Sequence, residues 1–173
     1  MKKLLSLALI SSCIFADSFS IAPAVGFLKN NIGYGVNVVS SIDATKLDFK
    51  ILGGDLEKVD VTAYHVVKNP YFEGYKLYVN YVRNEYDNEE KDNFYLGLFE
   101  IKSFSNVKLG LTTNFLLKAG IDVFHKDVGY NLGIGCSVDK VIYKQFYINS
   151  SLDFERYEYG NELTYSLGIK YNF

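Results

Sequence analysis

The last ten residues, Thr164 to Phe173, alternate without a fault. Tyr165, Leu167, Ile169, Tyr171 and Phe173 fall on one face at period two, and Thr164, Ser166, Gly168, Lys170 and Asn172 on the other. So strict an alternation is a strand with one face in an apolar medium and the other in a polar one. The strand also stops on an aromatic residue, where soluble chains usually fray in polar residues. At 173 residues the chain makes one domain, either a packed core or one small barrel.

The same period recurs from end to end, with short breaks and no amphipathic helix. Candidate strands are Phe19–Leu28, Gly33–Ser40, Thr45–Leu52, Lys58–Val67 and Gly74–Asn84, then Phe94–Lys102, Val107–Phe124, Val128–Val138, Lys144–Phe154 and Leu163–Phe173. Val107–Phe124 exceeds the roughly 9–11 residues of one membrane strand. Gly53-Gly54-Asp55 and Asn69-Pro70 are turn and breaker signals. Pro23 removes a ladder donor and suits a bulge or a strand beside a seam. Ten strands satisfy the even count that closure of a bacterial barrel requires; eight is the usual size for so short a chain, so the range is 8–10. With both termini on the inner side, the acidic break Glu85–Asn93 and the charged break Glu155–Glu162 become external loops.

Aromatic residues make up 16% of the chain, all Tyr and Phe, and mean hydropathy is +0.02. Both suit a barrel whose apolar and polar faces average out and whose rings sit in interfacial girdles. No apolar run is long enough for a transmembrane helix. In the final strand, Ser166, Gly168, Tyr171 and Phe173 resemble the carboxy-terminal assembly signal of bacterial outer-membrane β-barrels at every specified position. With the alternation of the whole chain, this is similar to the small barrels of the OmpA/OmpX and opacity-protein type. The resemblance implies an all-β, antiparallel up-and-down transmembrane barrel in the Gram-negative outer membrane. It also implies recognition by the barrel-assembly machinery, contact with outer-membrane lipid and lipopolysaccharide, and a monomeric state.

The start, Met1 to Ala16, has a basic tip, an apolar stretch and a small final residue, as a secretory signal peptide does. The expected division is 1–16 signal peptide and 17–173 barrel domain. A rival reading cleaves before Cys13 and lipidates it. Loss of Lys2 and Lys3 takes the net charge from −2 to −4, which argues against nucleic acid as a partner. Cys136 is then the one cysteine left, in phase with Leu132, Ile134 and Val138, so it reads as an apolar position and not a reactive thiol.

If the apolar faces meet lipid, the opposite faces line a lumen. Placed there are Lys46, Lys50, Lys76, Lys102, Lys118 and Lys170, against Asp48, Asp60, Glu100, Asp122, Asp153 and Glu155. Six of each sign predicts a paired network filling a narrow or plugged barrel, because an unpaired buried charge is costly. A selective pore would carry one sign in excess. Gly133, Gly135 and Gly168 are expected to face inward, where a tight wall leaves no room for side chains.

Catalytic material is sparse. His65 sits in a strand beside Val61 and Ala63, and His125-Lys126-Asp127 reads as a solvated turn. Neither supplies the serine of a His-x-Ser arrangement, and no Cys/His cluster has zinc spacing. The acidic break lacks the ligand spacing of a calcium loop. No enzyme activity, cofactor or metal is expected. The leading reading is a non-enzymatic barrel with a structural or surface-interaction role. A narrow channel for small or hydrophobic molecules, its lumen lined by Tyr64 and Tyr78, is the first alternative. A soluble or lipidated periplasmic β-sandwich or lipocalin-like binder is the second.

Overall fold

A computed structural model describes residues 16–67, 76–124 and 129–173. Ten antiparallel strands, each bonded to its neighbours in sequence, close when the first pairs with the last. They are β1 (Ser18–Leu28), β2 (Asn31–Ile42), β3 (Thr45–Gly54), β4 (Glu57–Val66), β5 (Lys76–Tyr86), β6 (Glu89–Asn106), β7 (Leu111–Asp122), β8 (Tyr130–Tyr143), β9 (Phe146–Tyr157) and β10 (Gly160–Asn172). Closure leaves no free edge, the standing hazard of an open sheet. Both ends of the described chain, Ala16 and Phe173, lie at one mouth, called the lower mouth below; Asp17 and Phe173 share a backbone hydrogen bond there.

The register shows how strongly the strands slant. From Ala24, partners taken through β2 to β5 lead to Lys91 on β6. Partners taken the other way, through β10 to β7, lead to Ser103 on the same strand. The stagger of twelve residues demands strongly tilted strands, since stagger, tilt and strand number are linked in a barrel. Tilt also explains why β6 runs 18 residues.

Several expected boundaries move. The acidic stretch Glu85–Asn93 is not a loop: β5 and β6 run through it to a two-residue turn at Asp87 and Asn88, both with positive φ (51° and 61°). That is the turn whose twist matches a hairpin, and Asn and Asp tolerate it. Glu155–Glu162 likewise shrinks to Glu158 and Tyr159 between β9 and β10. Charge misled here because a closed ladder satisfies the backbone whatever the side chains carry. Val107–Phe124 divides, with Val107 to Gly110 forming a turn and β7 starting at Leu111. Gly53 and Gly54 belong to β3, and the turn falls on Asp55 and Leu56. Pro23 stands where β1 and β10 meet, and the partnering of those strands skips Ala22 and Pro23. The signal segment with Cys13, the Asn69-Pro70 break and His125-Lys126-Asp127 lie outside the described residues.

The two faces have opposite polarity. Outward point Val36, Leu98, Leu117, Ile134, Phe154 and Leu167, each more than 40% exposed. Cys136 is on this side too, paired with Phe115. Towards the lower mouth the outer face turns aromatic: Phe104 meets Phe115 edge-on at 6.0 Å, Phe146 lies 4.9 Å from Tyr171, and Tyr171 meets Phe173 at 4.8 Å. Inward point asparagines, serines, threonines, lysines and carboxylates, many of them fully buried. This is the inverse of a soluble sandwich or lipocalin, whose interior is apolar, and it removes that reading of the alternation.

Candidate functional site: the charged lumen

The upper half of the lumen is filled. Tyr64, Tyr78, Val82, Tyr95, Phe99 and Tyr157 make one buried cluster, and Ala24, Leu28, Leu52, Leu56 and Tyr86 a second. Leu56, in the β3–β4 turn, is held inward by a bond from its N–H to the Ile32 carbonyl and is fully buried. Tyr64 and Tyr78, named for the lumen in the channel alternative, both lie in the first cluster, and Tyr64 also borders the cavity below it. Glu158 and Tyr159 form the turn above. Tyr159 stacks on Tyr157 at 4.9 Å and accepts a bond from Asn84 Nδ2 at 2.7 Å. Burial raises its hydroxyl above the ordinary tyrosine range, so it stays neutral.

Two ion clusters run through this plug. Lys58, wholly buried, donates to both carboxylate oxygens of Glu162 at 2.7 Å and lies 3.0 Å from Asp60. Asp60 also accepts from Asn80 Nδ2 at 2.6 Å and from the Thr62 hydroxyl at 3.1 Å. In the second cluster, Lys118 Nζ meets Glu155 at 2.8 Å, and Glu155 accepts from Asn131 Nδ2 at 3.0 Å and from the Tyr157 hydroxyl. Tyr78 bonds Asn131 at 3.0 Å and carries the Lys118 ammonium over its ring at 5.6 Å. Buried charges with this many hydrogen bonds meet the condition under which an interior ion pair is tolerated.

Of the charges expected in the lumen, Lys46, Asp48, Lys50, Asp60, Lys118, Asp122, Asp153, Glu155 and Lys170 lie on inner-face positions of their strands. Asp122 accepts from Asn93 Nδ2 at 2.8 Å, and Lys170 meets Asp139 at 2.8 Å. Glu100 and Lys102 are corrections: both point outward, Lys102 opposite the outward Phe115. Phe94 to Lys102 is apolar on both faces at its start, so its phase is not legible; β6 begins five residues earlier and fixes Tyr95, Gly97 and Phe99 inward. Lys76, at the lower end of β5, reaches Glu100 at 2.8 Å in a partly exposed pair at the rim.

Three members of the network were missed. Lys58 is in phase with Asp60 but stands at the first position of its expected strand. Glu162 is in phase with Thr164 and Ser166 but fell within an expected loop. Asp139 lies one residue past the expected end of β8. In each case the alternation held the signal, and an early strand boundary hid it. Gly133, Gly135 and Gly168 face inward, packed against Lys118, Asp153 and β1 respectively. His65 points outward and bonds the Thr45 hydroxyl at 2.9 Å.

Below the plug the lumen is hollow. A cavity of about 230 Å³ extends from Lys50, Asp60 and Glu155 at its roof to Ser18, Ser41, Lys46 and Lys170 near the lower mouth.

No family model matches the chain, and no curated protein matches it. Among solved structures it is similar to Neisserial surface protein A, with TM-score 0.44 and 9% identity over 90% of this chain and 95% of that one. It is similar also to the N-terminal β-barrel domain of Pseudomonas aeruginosa OprF, with TM-score 0.41 and 15% identity over 91% and 98% of the two chains. Ail, the attachment invasion locus protein of Yersinia pestis, gives TM-score 0.40 and 12% identity over 90% and 95%. These likenesses concern barrel shape and carry no residue correspondence. On its own topology, the chain is a closed, ten-stranded, antiparallel β-barrel, apolar outside and polar within.

Proposed function

We propose that this chain is a non-enzymatic, integral outer-membrane barrel with a structural or surface-interaction role, plugged and not conducting. The observation that carries the reading is the pairing of a continuous apolar outer face with an upper lumen closed by Lys58–Asp60–Glu162, Lys118–Glu155 and the tyrosines around them. Every strand has at least ten residues, enough for the about 9–11 with which a tilted strand crosses a bilayer. The aromatic patch of Phe104, Phe115, Phe146, Tyr171 and Phe173 suits a membrane–water interface. In this reading the lower mouth faces the periplasm, and the short turns at Lys29, Asp55, Asp87 and Glu158 face outward. Ser166, Gly168, Tyr171 and Phe173 would be read by the assembly machinery, with lipid and lipopolysaccharide as the surrounding partners.

Two measurements test it. The unboiled protein from outer-membrane fractions is expected to migrate faster on a gel than the boiled form, as closed barrels do. A single unshifted band in the soluble fraction would remove the membrane reading. Liposomes carrying the refolded barrel should retain both a small sugar and a small ion at the rate of empty liposomes. Steady flux through them would replace the plugged barrel with a channel.

A further inference from the structure

The hollow lower half holds polar groups that the protein itself leaves unused. Lys50 is 5% exposed, yet among the described residues its ammonium has neither an ion-pair nor a hydrogen-bond partner. Its cross-strand neighbour Asp60 is already engaged by Lys58 at 3.0 Å. Asn37, 6% exposed, has no donor for its carbonyl oxygen Oδ1 among the described residues. Asp153, on β9, is half-buried, and among the described residues it has no ion pair and one long bond, from the Ser151 hydroxyl at 3.4 Å. Elsewhere in the cavity wall the charges are taken: Lys170 by Asp139, Glu155 by Lys118, and Lys46 by Asp48 at 3.9 Å.

Lys50 and Asp153 lie on opposite arcs of the wall, four strands apart through β2, β1 and β10. They border the same cavity but stand more than 4.0 Å apart, beyond ion-pair contact. A buried cation and a half-buried anion held apart across one cavity leave room for a ligand that meets both. A ligand with one charge would neutralise only one of them. A ligand with an anionic group for Lys50 and a cationic group for Asp153 would satisfy both, and its N–H donors would also suit Asn37 Oδ1. The cavity, about 230 Å³, falls below the roughly 300–1,000 Å³ of pockets for drug-sized ligands, so the solute is small. Its lining runs down the inner face to Ser18, Ser41 and Lys46 near the lower mouth, so the solute proposed is free and not a tethered headgroup.

We propose that the lower lumen is a blind binding pocket for a small zwitterionic solute of amino-acid type, its carboxylate on Lys50 and its ammonium on Asp153. This depends on the closed barrel and not on the surface role proposed above.

The probe is L-alanine, the minimal zwitterion with a side chain, titrated into isotope-labelled barrel in maltoside micelles and phosphate buffer. N-acetyl-L-alanine, which lacks the cation, and L-alaninamide, which lacks the anion, form the comparison series. Saturable shifts are expected at the amides of Lys50, Thr62 and Asp153, with Asn131 and Glu162 in the plug unmoved. Each singly charged analogue should bind at least about tenfold more weakly, as should L-alanine to Lys50→Met or Asp153→Asn. The analogue series on the unaltered protein decides the matter even if one variant fails to fold. No saturable shift at millimolar L-alanine overturns the proposal. Equal binding of all three compounds overturns it as well, since charge pairing would then play no part.

Discussion

Lys58→Met is expected to lower the unfolding free energy of the barrel by about 3–5 kcal/mol, the usual effect of removing one partner from a buried ion pair. The side chain is wholly buried, and its ammonium is shared between Glu162 at 2.7 Å and Asp60 at 3.0 Å. Methionine replaces the stem but leaves two carboxylates facing each other across the plug. Asp60 keeps Asn80 and Thr62 as donors, and Glu162 keeps Thr164, so neither is bare. Those neutral donors do not replace a cation. The measurement is urea unfolding in lipid vesicles, followed by the fraction of fast-migrating band, since the chain has no Trp for fluorescence. Adding Asp60→Asn and Glu162→Gln to Lys58→Met should restore most of the loss, because a neutral plug of similar shape lacks the unbalanced charge. Lys46→Met is the comparison. Its pair with Asp48 is long, at 3.9 Å, and partly exposed, so the change should stay within about 1 kcal/mol. If Lys58→Met and Lys46→Met shift the midpoint equally, the plug is hydrated and not a dry ion cluster.

The alternation of apolar and polar residues reported the strands, their number and which face each residue takes, because period two is a local property of the chain. It reported Lys50 and Asp153 as inward without saying what either meets. Partners across a barrel depend on the stagger, and the stagger is set by ten registers together, not by any one hairpin. Lys58 and Glu162 illustrate this: 104 residues separate them, and only the closing of β1 on β10 brings them to 2.7 Å. The division of the lumen into a plugged upper half and a hollow lower half was likewise hidden. It follows from where the large rings of Tyr78, Tyr95 and Tyr157 land once the strands are tilted. Where the alternation blurs, as at Phe94 to Lys102, the sequence assigned Glu100 and Lys102 to the wrong side. Charge composition was the poorer guide at Glu85–Asn93, since strand pairing there extends past the apolar band.

Gly168→Val is expected to prevent closure. Gly168 faces inward on β10 beside the stretch of β1 where the partnering skips Ala22 and Pro23. A Cβ at this position would collide with the Ile21 carbonyl oxygen and with Cα and Cβ of Ala22. The atoms met first are those of the neighbouring strand's backbone, which cannot swing aside as a long side chain could. Gly168→Ala should therefore cost about 1–3 kcal/mol, the range for overpacking, and valine more. Gly53→Ala is the matched comparison, since its added methyl would meet nothing within 4 Å. Gly168 also belongs to the stretch that resembles an assembly signal, so loss of the barrel in cells has two explanations. Refolding from urea into lipid vesicles, with no assembly machinery present, separates them. If packing at the seam requires glycine, Gly168→Val yields no fast-migrating band in the vesicles. Deletion of Phe173, which is 67% exposed on the outer face, should refold there normally and fail only in cells. Normal refolding of Gly168→Val would mean that the seam can widen to take a side chain, and that glycine at this place serves recognition.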